Sequence, residues 1–130
     1  MWTGVAAVGK NMADTAVRLF ILFKINPGQL HAFKKLAEEL TADTLATEPR
    51  TQSYEWYLTE DQTECWISER FLDSAALIEH NEQVSERFKI LMQLADVKEV
   101  FLLGSPSPEV RARFAPIGAK VLESFSGFCR

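Results

Sequence analysis

Residues 15–25, TAVRLFILFKI, constrain this chain more than any other stretch. Strand alternation puts Val17, Leu19, Ile21 and Phe23 on one face and Phe20 and Leu22 on the other. A strand apolar on both faces must be covered on both, whereas an amphipathic strand needs only one layer over it. Whatever fold follows has to supply two covers for this one strand.

The next segments supply the first cover. Asn26-Pro27-Gly28 reads as a helix start, with Asn26 as N-cap and Pro27 at the first helical position. Leu30, Phe33, Leu36, Ala37 and Leu40 then fall on one helical stripe, and Glu48-Pro49 ends it. Residues 51–58 and 63–72 alternate as a hairpin around Thr59-Glu60-Asp61-Gln62. Asp73 is placed to cap a second helix, on which Leu77, His80, Val84, Phe88 and Leu91 share a face. Residues 97–103 read as a last strand, and Ser107-Pro108 opens a helical tail interrupted at Pro116 and Gly118. The order is β-α-β-β-α-β plus a tail, a ferredoxin-like α+β arrangement with helices on one sheet face. A second copy of the sheet is the simplest cover for the other face, which predicts a homodimer. The expected division is an arm over 1–14, a domain over 15–104 and a helical extension over 105–130. Phe114, Ile117, Val121, Leu122, Phe125 and Phe128 are too apolar to trail free, so the tail should lie over the domain or its partner.

Composition excludes several classes. A net charge of −4 disfavours a nucleic-acid surface, and no apolar run is long enough to span a bilayer. Without a basic segment leading an apolar block, the expected location is cytoplasmic. The two Cys and two His are too few and too scattered for a metal site, and no metal or other cofactor is expected.

The hairpin YEWYLTEDQTECWISERF concentrates half-polar aromatics beside carboxylates. Closed with the shorter loop, Trp56 pairs Cys65 and Tyr54 pairs Ile67. Tyr54, Trp56, Cys65, Ile67, Glu69 and Phe71 then share a face against the helices. Glu55, Tyr57, Trp66 and Arg70 share the other, toward a partner or a cavity. A loop one residue longer sets Trp56 opposite Trp66 and moves Glu69 to the face of Glu55 and Tyr57. The shorter loop separates apolar from polar more cleanly. These aromatics suit a subunit contact or the wall of a small-molecule site.

NPGQLHAF after the first strand, TEPRTQSYEWY, and WISERFLDSAALIEHNEQ together resemble the antibiotic biosynthesis monooxygenase (ABM) family of dimeric α+β barrels. The resemblance covers roughly residues 16–104. It implies a barrel of two sheets and a small aromatic or quinol substrate, oxygenated without metal or flavin. A non-catalytic, ligand-binding or stress-associated homodimer is the alternative. Glu69 and His80 form the acid/base pair by this reading, since a carboxylate can orient a histidine that moves protons near neutral pH. Equally, His80 can be a satisfied core histidine and Glu69 a structural hydrogen-bonding group. Trp66, Tyr57, Glu55, Arg70, Trp56 and Tyr54 are the candidate substrate contacts. Haem degradation, also found in the family, is disfavoured because Ile21 and Phe71 stand where its haem-degrading members carry Asn and Trp. Arg50 replaces the family's usual Gly, so a positive charge could reach the cavity or simply be solvated.

Overall fold

A computed structural model describes residues 14–130; the expected N-terminal arm falls almost wholly outside them. The elements are β1 (Val17–Ile25), α1 (Leu30–Thr47), β2 (Thr51–Leu58), β3 (Glu64–Phe71), α2 (Ser74–Leu94), β4 (Ala95–Gly104), α3 (Pro108–Phe114) and β5 (Lys120–Leu122), with a 3₁₀ turn at Ala115–Ile117. The sheet runs β2-β3-β1-β4-β5. Its first four strands are antiparallel in the ferredoxin-like order, and β5 adds in parallel to the edge of β4.

The alternation of β1 sets the core. Val17, Leu19, Ile21, Phe23 and Ile25 are all buried beneath α1 and α2. Opposite them on the same face lie Cys65, Ile67, Glu69 and Phe71 of β3. Helix α1 contributes Phe33, Leu36, Ala37 and Leu40, and α2 contributes Leu77, His80, Val84 and Leu91. Among the described residues no layer lies across the other sheet face. Phe20, Leu22 and Phe101 are half-covered there, while Tyr57 is 54% and Trp66 36% exposed.

Helix α1 begins three residues later than its sequence suggests. Asn26–Gly28 form a turn, closed by Gln29 N–H donating to Asn26 O at 3.0 Å, with Gly28 at φ 80°. Asp73 does cap α2, its Oδ1 accepting from Ala76 N–H at 2.8 Å.

The hairpin separates its faces as the shorter loop implies, but its partners are displaced by two residues. Trp56 opposes Ile67 and Tyr54 opposes Glu69. The strands close at Thr59 N–H to Glu64 O, 3.0 Å. One carboxylate oxygen of Asp61 gathers Thr59 Oγ1, Thr63 N–H and Thr63 Oγ1, which organises the tip as an Asx-type turn. A shift of two preserves the face of every side chain, so the pattern of burial survived the error in pairing.

The tail is helical only in part. Ser107 caps α3, and Val110 and Phe114 enter the core. After Gly118, at φ 76°, the chain extends into β5 instead of resuming a helix. Phe125 and Phe128 are 89% and 76% exposed, so within this chain they do not pack on the domain, the first of the two covers expected for them.

Candidate active site

The site is assembled by one helix face, one strand face and one helix end. His80 lies on the core stripe of α2, whose phase is fixed by the Asp73 cap. Glu69 points to the helices because β3 alternates inward at 65, 67, 69 and 71. Glu48 is the C-cap of α1, held at the junction by Pro49 and by Thr51 Oγ1, which donates to its Oε1 at 3.0 Å.

These three meet in the interior. His80 Nδ1 is 2.7 Å from Glu48 Oε1, and His80 Nε2 is 3.1 Å from Glu69 Oε1. All three side chains are no more than 5% exposed. The ring is further fixed by an edge contact to Tyr54 (5.0 Å between centroids) and a tilted contact to Phe71 (5.2 Å).

The protonation follows from this geometry. A neutral imidazole has one N–H, so it can donate to only one of two ionised carboxylates. A second ring proton satisfies both and neutralises part of the buried negative charge. Burial, the largest influence, pulls the His80 pKa down, but the Glu69 and Glu48 contacts together raise it above the ordinary histidine value. Burial, reinforced by the charges of Glu69 and Glu48, likewise pushes the Tyr54 phenol well up. It remains a neutral O–H donor at physiological pH.

Glu69, His80 and Tyr54 line a cavity of about 240 Å³ between the sheet and α2. Its walls are mainly apolar, including Leu19 and Ile21 of β1 and Val84 and Phe88 of α2. Arg113, Phe114 and Ile117 of the tail close one side. Arg113 bonds Glu82 of α2 at 3.1 Å, which pins the tail to α2, and Glu109 of its own helix at 3.1 Å. Glu48 does not line the cavity and reaches it only through His80. A cavity of this kind can desolvate a small apolar molecule and present one proton-exchanging unit to it.

The candidate residues divide between the two sheet faces. His80, Glu69 and Tyr54 come together, and Trp56 sits behind them, 5.4 Å from Tyr54 between ring centroids. Glu55, Tyr57, Trp66 and Arg70 lie on the other face and do not meet the cavity. Arg50 stays out as well, tied to Glu79 and Asp73 at the start of α2. Burial pushes the Cys65 thiol up to about 11, as suits a residue that packs as a small apolar group.

Glu48 was not legible as a site residue, only as the end of a helix. Its one clue is electrostatic: a carboxylate at the negative end of a helix with no basic residue in the last turn is locally unfavourable. Among the described residues no group of three His, Cys, Asp or Glu is arranged to hold a metal ion. Glu48 and Glu69 take opposite nitrogens of one ring, so their donors do not converge on a point. No helix among the described residues is long and apolar enough to cross a membrane.

Comparison with known proteins agrees with this architecture. The sequence model of the antibiotic biosynthesis monooxygenase family matches residues 16–89, more than half of the chain. Sequence comparison with curated proteins gives no significant match. Among solved structures, MupZ from Pseudomonas fluorescens superposes with a TM-score of 0.80 at 20% identity, covering 88% of this chain and 94% of that one. Rv0793 from Mycobacterium tuberculosis gives 0.62 at 23% identity, over 71% and 96%. A structure described as an antibiotic biosynthesis monooxygenase gives 0.61 at 19%, over 70% and 99%. At these identities the likeness is one of fold. The 88% share is more than residues 1–104 could supply, so the likeness to MupZ extends into the tail.

Proposed function

Because this chain belongs to the antibiotic biosynthesis monooxygenase family, we propose that it is an enzyme acting on a small, largely apolar aromatic or quinol-type substrate held in the α2 cavity. The observation that carries this reading is the Glu69–His80 pair in the wall of an apolar cavity, backed by Glu48. On this reading Glu69 and His80 act as one proton-exchanging unit and Glu48 positions the ring.

For an anthrone-type methylene the steps balance with dioxygen alone. The Glu69 carboxylate, hydrogen-bonded to the His80 imidazolium, takes a proton from the CH₂ group and leaves a stabilised carbanion. The carbanion passes electrons to O₂ and forms a C–O bond, giving a peroxide anion. The unit returns its proton to that anion. The resulting hydroperoxide loses water and leaves the ketone, so one oxygen atom stays and the other departs. A raised His80 pKa suits an imidazolium that stays protonated beside Glu69 while that carboxylate takes the proton and gives it back. With substrate filling the cavity, its mainly apolar walls would limit the access of bulk water to the carbanion.

The assembly belongs to the same proposal. The open sheet face, with Tyr57 and Trp66 exposed beside half-covered Phe20 and Leu22, suits a second copy of this chain. Of the residues expected to contact substrate from that face, Glu55, Tyr57 and Trp66 are then assigned to the subunit contact, while Arg70 lies toward the other end of the strands.

The test is O₂ uptake with a panel of anthrones and quinols. The reading expects turnover that drops about a hundredfold or more in Glu69→Gln and in His80→Ala. Cavity binding without uptake, followed by tryptophan fluorescence, would replace the enzyme with a binding protein.

A further inference from the structure

A second concavity, of about 420 Å³, lies on the open side of the sheet, away from His80. Strands β1, β3 and β4 form its floor and the C-terminal segment after β5 walls it. Its distinguishing feature is a cross-strand pair of like charges. Arg18 stands directly opposite Arg70 in the antiparallel ladder, and both guanidinium-bearing side chains line the concavity. Residues so placed have Cβ atoms only about 5 Å apart, and like charges there destabilise the sheet.

The local counter-charges leave this pair undercompensated. Arg70 Nε donates to Gln52 Oε1 at 2.8 Å, and its Nη2 lies 3.8 Å from Asp14 Oδ1. That same Asp14 oxygen also accepts from Ala16 N–H at 2.9 Å. Glu123, the other acid in the lining, is turned to Arg111 at 3.4 Å. Among the described residues Arg18 makes no ion pair and no side-chain hydrogen bond. The remaining polar groups of the wall include the hydroxyls of Ser105, Ser124 and Ser126, which can donate to an oxyanion.

We propose that the Arg18–Arg70 pair is a binding site for the phosphate or carboxylate group of a small ligand. Two arginine side chains opposite each other in the ladder present several N–H donors to one concavity, and an oxyanion between them would turn a repulsion into two charge-assisted contacts. The site is separate from the His80 cavity and does not depend on the activity proposed for it.

Cys129 supplies a reporter, since it lines the same concavity and is exposed, whereas Cys65 is buried and serves as the internal control. The experiment follows alkylation of Cys129 and thermal melting of the full chain. The added probes are inorganic phosphate or succinate, each against potassium chloride at matched ionic strength. The expected result is Cys129 labelling slowed at least threefold by one of the two anions, with a higher melting temperature. A stronger effect of phosphate assigns a phosphate ester, and a stronger effect of succinate a carboxylate. In anion-poor buffer Arg18→Gln should melt above the parent, because it relieves the repulsion, and it should no longer respond to either anion. Arg70→Gln should lose the response too, though it also gives up the contact to Gln52. Three results overturn the proposal. One is no protection by either anion. A second is protection that persists in Arg18→Gln, the sign of an adventitious ion only. The third is labelling that slows with protein concentration alone, which would mean that a second copy covers the pair.

Discussion

The two faces of the sheet put charge to opposite use. On the helix-covered face a histidine sits between two carboxylates, and all three are sealed from water. On the open face two arginines stand side by side with a single loosely placed acid near them, and large aromatics remain exposed. Burial makes the first arrangement strict, because an unpaired charge in the interior costs several kcal/mol. Solvent makes the second tolerant, because exposed charges are screened and surface pairs contribute about 0–1 kcal/mol. The fold can therefore keep an incomplete charge pattern on one face for a ligand or partner to complete, but not on the other.

The sharpest way to break this contrast is to remove the central member of the buried chain. His80→Ala leaves Glu48 and Glu69 facing a void without their shared proton donor. It should cost about 3–5 kcal/mol in urea-unfolding experiments. A cost below about 1 kcal/mol would mean that the two carboxylates reach solvent or simply take up protons at little expense.

A smaller change separates positioning from proton exchange. Glu48→Gln keeps the shape but removes the charge behind the ring. Turnover should fall on the order of ten- to a hundredfold, as for a group that orients its neighbour. The basic limb of the pH profile should move to lower pH, since one of the influences raising the His80 pKa is gone. An unchanged limb would remove Glu48 from the account.

The pH dependence of stability carries a defined sign. The folded-state pKa of His80 is raised, so the folded protein binds this proton more tightly than the unfolded chain does. The stabilisation is complete below the unfolded value near pH 6.5 and is lost as pH rises through the folded value. It amounts to about 1.4 kcal/mol for each unit of difference. In His80→Gln this descending limb should disappear from a stability-versus-pH curve. If it stays, another group produces it.

The smallest effect on the chain itself is expected on the open face. Trp66→Glu should alter monomer stability by no more than about 0.5 kcal/mol. In sedimentation it should shift the population toward monomer. A large loss of stability with no change in mass would place Trp66 in the chain's own core and break the comparison from the other side.

What could be read in the sequence follows the same division. The faces of β1, β2 and β3 were legible because alternation survives any even shift in pairing, and so Glu69 and His80 were found together. The pairing itself was hidden in the side chain of Asp61, which organises the loop through three contacts that no pattern announces. Glu48 was hidden because it joins the site from a helix terminus, distant in sequence and without periodicity. The aromatics of the open face were recognised as unusual, but the sequence left them between a subunit contact and the wall of a ligand site, since a pattern of exposure does not say what covers it. Strand β5 was missed because three residues are too few to show alternation, and a helix pattern runs into them from Pro108.

The central claim is that Glu48 and Glu69 together keep a proton on His80 beside the cavity. Only two histidines are present, so an NMR titration of the imidazole signals reads His80 with one neighbour to assign. The account predicts that His80 titrates above the ordinary value near 6.5, and that Glu69→Gln and Glu48→Gln each lower it. A His80 that titrates below that value in the parent, or one that neither substitution moves, would contradict it.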